Sequence, residues 1–117
     1  MKALIVEDNP KMRRLMADFI GHKFEQIYEC ADGSQAVSLY KAHLPDWVLM
    51  DWQMPETDGI AATRQIIAEF PKAQICMVTT FDSEELRREA LAAGVCGFVL
   101  KRDLFELETI LDSGHGH

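Results

Sequence analysis

Three carboxylates, a hydroxyl and an ammonium stand at the ends of short apolar runs in this chain. Leu4-Ile5-Val6 leads into Glu7-Asp8, and Trp47-Val48-Leu49-Met50 leads into Asp51. Ile75-Cys76-Met77-Val78 leads into Thr79-Thr80, and Phe98-Val99-Leu100 leads into Lys101. Taken singly, each charge also fits a solvated strand end, and Glu7 and Asp8 would suit the positive start of a helix. Taken together they point elsewhere. Parallel strands bring their C-terminal ends to one edge of a sheet, where open α/β sheets bind ligands. Carboxylates crowded there repel one another or take up protons. A hard divalent cation relieves that conflict, and Mg²⁺ commonly uses one or two carboxylates plus water. Three carboxylates, Lys101 and a divalent ion sum to zero. Converting one carboxylate to an acyl phosphate moves the sum only to about −1, within reach of a hydroxyl and backbone N–H groups. The pattern outlines a site for a cation and a phosphoryl group.

The segments between these runs must position the groups, and they read as helices. Strands are expected at Lys2–Val6, Gln26–Cys30, 47–51, 74–78 and Gly97–Leu100, as short apolar runs alternating with helix-period stretches. The first helix opens at Pro10 with Asn9 as its cap. Met12, Leu15, Met16, Phe19 and Ile20 form its apolar stripe, and Gly21 closes it. The second helix, after Asp32-Gly33, runs to about His43 with Ala36, Val37 and Tyr40 inward. The third follows the loop 52–59 and carries Ala62, Thr63, Ile66, Ile67 and Phe70 on one face, ending before Pro71. The fourth runs over 83–93, capped by Ser83 and stopped by Gly94, and a short final helix covers 104–111. Alternating β and α with short connections predicts a doubly wound, right-handed parallel sheet.

Size and composition set the outer limits. A chain of 117 residues is one domain with one real core. A net charge of −7 and a pI near 5.0 argue against nucleic-acid binding by its own surface and favour protein or cation partners. The N-terminal apolar run is too short for a leader or a membrane span, so a cytoplasmic location is expected. Cys30, Cys76 and Cys96 are far apart, without a CxxC pair, and read as buried free thiols. Residues 113–117, ending Gly114-His115-Gly116-His117, read as a disordered tail.

The chain resembles the receiver domain of bacterial two-component response regulators over essentially its whole length. The stretches that carry the resemblance are LIVEDN, ADGSQAV, PDWVLMDWQMPETDG, CMVTTF and AAGVCGFVLK. Each is weak alone, and their order and spacing together are highly specific. The resemblance implies a receiver over residues 1–112 with a five-stranded flavodoxin-like sheet, order 2-1-3-4-5, and helices on both faces. It implies that Asp51 accepts a phosphoryl group from a sensor histidine kinase or a histidine phosphotransfer protein. Glu7, Asp8, Asp51 and the backbone carbonyl of Gln53 would hold Mg²⁺ or Mn²⁺. Lys101 and the switch hydroxyl of Thr79 would bond the phosphoryl oxygens, and Phe98 would be the aromatic that changes rotamer. The face built by the fourth helix, fifth strand and final helix would meet a partner or a second copy. Direct nucleic-acid binding and membrane attachment are not implied, nor is enzymatic turnover beyond slow self-phosphorylation and self-dephosphorylation.

Some positions depart from the commoner pattern. Arg102 follows Lys101 where many receivers carry proline, as in receivers resembling the LuxR/NarL type. Phe98 lacks the hydroxyl of the more frequent tyrosine. Thr80 and Phe81 follow the switch threonine where small and polar residues are frequent. Trp52 follows Asp51 and should flank the pocket, while Arg87 and Arg88 read as a solvated helix face. Three rival functions stand beside this reading. A Mg²⁺-dependent aspartate-nucleophile phosphatase would usually place a second aspartate at position 53, which is glutamine. A flavin or nucleotide binder needs a Gly/Ser/Thr-rich loop after a strand, where this chain has Glu7-Asp8-Asn9-Pro10. A receiver-like interaction domain without phosphorylation would not need all five site positions filled. The chain is expected to be either a stand-alone receiver or the receiver piece of a longer DNA-binding regulator, and the Lys101-Arg102-Asp103 ending with its tail-like C-terminus favours the second.

Overall fold

Residues of the inner strands alternate between two apolar layers, which is why those strands read as nearly unbroken apolar runs. The structure, a computed structural model, describes residues 1–113. In β1 (Lys2–Val6), Leu4 and Val6 face one layer while Ala3 and Ile5 face the other. The same split recurs in β3 (Trp47–Met50) and β4 (Ile75–Thr79), with Val48, Met50, Ile75 and Met77 against Trp47, Leu49, Cys76 and Val78. With β2 (Gln26–Cys30) and β5 (Gly97–Leu100) they form one parallel sheet, ordered β2-β1-β3-β4-β5. The expected topology is the observed one. The chain order reverses direction between β1 and β3, so a crevice opens at their C-terminal ends.

Helices cover both faces. Ala36 and Tyr40 of α2 (Gly33–His43), Ala62 and Ile66 of α3 (Gly59–Glu69), and Leu86 and Ala90 of α4 (Glu84–Ala93) fill one layer. Met16 and Ile20 of α1 (Pro10–Ile20), with Leu107 and Leu111 of α5 (Glu106–Ser113), fill the other. The helix starts are chemically specified. Asn9 accepts from the N–H groups of Lys11 and Met12, Asp32 from Gln35, Asp58 from Ala61, and Ser83 from Leu86. Gly94 ends α4 at φ +120°, a conformation that favours glycine, and its N–H bonds the carbonyls of Ala90 and Leu91.

Several expectations are corrected. Leu15 and Phe19 are 49 % and 37 % exposed, so the buried line of α1 is the narrower Met12, Met16, Ile20 series. A helix lying on a sheet buries one line of contact, and the flanking i+3 positions look outward. Gly21 closes the first helix as expected, in a right-handed conformation (φ −55°) that leads into a 3₁₀ turn over Gly21–Lys23. Cys96 is exposed, whereas Cys30 and Cys76 are buried as free thiols. Cys96 lies in the link between α4 and β5, tied by its N–H to the Ile75 carbonyl, before the strand dips into the core. The strand 47–51 ends one residue earlier at Met50, and 74–78 is shifted by one to include Thr79. The final helix starts at Glu106 after a 3₁₀ turn over Lys101–Asp103, and Ser113, expected in the tail, is its last residue. The rest of the expected tail, 114–117, lies outside the described residues.

Candidate functional site

Backbone pairing carries the acids to one place. The Asp51 N–H bonds the Val6 carbonyl at 2.9 Å, and the Glu7 N–H bonds the Cys30 carbonyl at 3.0 Å. The ends of β3, β1 and β2 are thereby locked side by side. Register pairs Thr79 with Leu100, which sets Lys101 one residue beyond the neighbouring strand end. One carboxylate oxygen from each of Glu7, Asp8 and Asp51 lies within 4.8 Å of the others. Lys101 Nζ is 2.6 Å from Glu7 Oε1 and 3.5 Å from Asp51 Oδ1. Four of the residues singled out in the sequence therefore share one pocket. Thr79 is fully buried at the end of β4, and its hydroxyl accepts from the Phe81 N–H at 3.2 Å. Gln53 is exposed in the loop two residues past Asp51.

Burial makes these charges unusual. Glu7 is 0 % and Asp51 4 % exposed, whereas Asp8 faces solvent. A buried carboxylate is tolerated only with partners. Glu7 Oε2 accepts from the Asn9 N–H at 3.0 Å. Glu7 Oε1 has the Lys101 ammonium beside it but no aligned hydrogen-bond donor. At 2.6 Å the charges compensate even where the bond angle does not. Asp51 Oδ1 accepts from the Trp52 N–H at 2.9 Å, and among the described residues no hydrogen bond or ion pair engages its Oδ2. Burial first, then repulsion from Glu7, pushes the Asp51 carboxyl up to about 6, against the opposing pull of Lys101.

These features fit a hard cation. The donor set is all oxygen, two of its members are buried, and one buried oxygen lacks an aligned donor. Asp51 is a nucleophile candidate with an unengaged oxygen beside an ammonium. A surface groove of about 850 Å³ opens elsewhere, between Pro45, Asp46, Lys72 and Gln74. It lacks this convergence of charge.

Three further contacts complete the site. Arg13 Nη1 donates to the Glu7 carbonyl at 2.7 Å while its Nε pairs with Glu29 at 3.2 Å, tying the acid pair to α1 and β2. Gly59 lets α3 start against the site, since a Cβ there would stand 2.0 Å from the Asp51 carbonyl oxygen. The Trp52 ring meets Phe81 edge-on at 4.8 Å, joining the residue after Asp51 to the one two past Thr79. Asp58-Gly59 after an apolar strand hinted at the second; the other two need the third dimension.

A parallel sheet whose switch-point crevice holds buried carboxylates and a lysine offers a site for a cation and an anionic group, and its Glu7-Asp8-Asn9-Pro10 loop differs from the phosphate loop of a nucleotide binder. Comparison with known proteins makes this specific: residues 3–112 match the response regulator receiver domain, and the chain belongs to that family. It is 36 % identical to the chemotaxis protein CheY of Halobacterium salinarum over 112 residues, 96 % of this chain and 92 % of that protein. Among solved structures it resembles a LuxR-family two-component response regulator from Aurantimonas, with a TM-score of 0.89, 30 % identity, and coverage of 96 % of this chain and 82 % of the other. It also resembles a CheX–CheY–BeF₃–Mg²⁺ complex from Borrelia burgdorferi, with a TM-score of 0.87, 30 % identity, and coverage of 97 % and 87 %. The protein is a CheY-like receiver domain of two-component signalling, a signalling domain and not a classical enzyme.

Proposed function

We propose that Asp51 is the phosphoacceptor of this receiver, charged by a histidine kinase or a histidine phosphotransfer protein, and that the fourth-helix, fifth-strand and final-helix face reports the charged state. The observation that carries the proposal is the pocket itself. Glu7, Asp8 and Asp51 offer oxygens within 4.8 Å, and Lys101 bridges two of them.

Glu7, Asp8, Asp51 and the Gln53 carbonyl would hold Mg²⁺ or Mn²⁺, which offsets negative charge on a transferring phosphoryl group. The chain's own residues do the remainder. Oδ2 of Asp51 attacks phosphorus in line, forming the O–P bond as the phosphohistidine N–P bond breaks. The Trp52 N–H and Lys101 hold Oδ1, which fixes the direction of the free oxygen. Lys101 sits between Glu7 and Asp51 and is placed to shift toward phosphoryl oxygens. The Thr79 hydroxyl exchanges its present bond from the Phe81 N–H for one donated to a phosphoryl oxygen, and Phe98 follows into the space that Thr79 leaves. A cytoplasmic setting belongs to the same reading; no helix among the described residues is long and apolar enough to cross a membrane.

Beryllofluoride with Mg²⁺ tests this directly, because it mimics the phosphoryl group on a carboxylate without covalent transfer. Trp52 fluorescence is expected to change saturably with the mimic in the parent chain and not in Asp51→Asn. A response retained in Asp51→Asn would move the acceptor elsewhere.

A further inference from the structure

Arg87 is exposed, as expected for a solvated helix face, and its guanidinium carbon also sits 4.7 Å from the centroid of the Phe98 ring. Among the described residues it has no ion pair, although Glu84, Glu85 and Glu89 are on its own helix. Phe98, on the edge strand β5, is 9 % exposed, with Arg87 covering its ring. A cation over an aromatic face is attracted by the ring quadrupole, and more so where water is displaced.

We infer that Arg87 is a positioning residue that holds Phe98 in its uncharged-state position and so acts as a brake on the switch. The inference rests on the reading of Asp51, Thr79 and Phe98 proposed above. If the ring turns when Thr79 moves, the stacked contact breaks, and its free energy is charged against the active state. By linkage, whatever stabilises the resting ring weakens binding of the phosphoryl mimic by the same factor. Phenylalanine makes this contact the ring's main polar tether, since it has no hydroxyl to bond solvent or backbone. A simple field effect has the opposite sign: a cation near an anion site should strengthen binding, so its loss should weaken it.

The test is the beryllofluoride titration with Mg²⁺, read by Trp52 fluorescence, in five chains: parent, Arg87→Met, Arg87→Lys, Phe98→Leu, and Arg87→Met combined with Phe98→Leu. Methionine keeps the length of the aliphatic stem and removes the charge. Arg87→Met is expected to bind the mimic about 2- to 5-fold more tightly than the parent, with Arg87→Lys returning toward the parent value. In the Phe98→Leu background, compared with Phe98→Leu alone, the same substitution is expected to have no effect. Unchanged or weaker binding by Arg87→Met, or a tightening that persists without the ring, overturns the brake. A parent chain that shows no Mg²⁺-dependent response overturns the reading of the site, and the brake with it. A parent that responds while Arg87→Met matches it overturns the brake alone.

Discussion

Asp51 and Glu7 are two carboxylates buried within reach of one another and sharing one lysine. That arrangement stores repulsion that function can use. In chelator, Asp8→Asn or Asp51→Asn should melt several degrees above the parent, since ~1 kcal/mol corresponds to about 4 °C in a domain of this size. The gap should narrow in Mg²⁺, and equal melting temperatures in chelator would show that the acids do not crowd. The pH dependence has a definite sign. The Asp51 carboxyl is raised to about 6 in the folded chain, against an ordinary value of about 3.9. The folded state therefore holds a proton that the unfolded state has released between about pH 4 and 6. The stability it contributes is fully present below that window and is lost as pH rises through about 6. Thermal melts across this range in chelator should show a falling limb that Asp51→Asn flattens. The cation has its own readout: Mg²⁺ should change Trp52 fluorescence in the parent, and an unchanged titration in Asp8→Asn would remove Asp8 from the metal site.

At the scale of elements, the site depends on where strands stop and helices begin. Val6, Met50 and Leu100 are the last apolar residues before Glu7, Asp51 and Lys101, and this boundary was legible because strands buried on both faces cannot carry a charge inside. The end residues themselves were not. Thr79 falls inside β4 and Asp51 outside β3 because ladder hydrogen bonds decide the limits, and side-chain polarity does not report them. Leu15 and Phe19 misled for a related reason, as periodicity marks an apolar face but not how much of it a neighbour covers. Gly59 is where an element touches the site. Its Cβ position is blocked by backbone, the Asp51 carbonyl oxygen at 2.0 Å, which cannot rotate away as a side chain would. Gly59→Ala should thus cost ~1–3 kcal/mol in denaturant unfolding and weaken Mg²⁺ binding as Asp51 is displaced. A chain of parental stability after this change would mean that α3 can shift freely from the site.

The whole molecule must turn a local event into an altered surface. The two groups proposed to link them, Thr79 and Phe98, lie on adjacent strands at the edge that α4 and α5 flank. The sequence placed both by motif, whereas the Arg87 contact joins residues on different elements and was invisible to helix periodicity. Charging Asp51 should raise self-association or partner affinity through this face, measurable by sedimentation with and without beryllofluoride. Thr79→Ala should bind the mimic yet lose that response, and a full response without the hydroxyl would exclude it as the link. All of this depends on Asp51 being the group that takes the phosphate. The most direct measurement is intact mass after exposure to a small acyl or amido phosphate donor. One phosphoryl group should be gained only with a divalent cation present, and none by Asp51→Asn; a gain that survives that substitution, or one that needs no cation, would contradict the account.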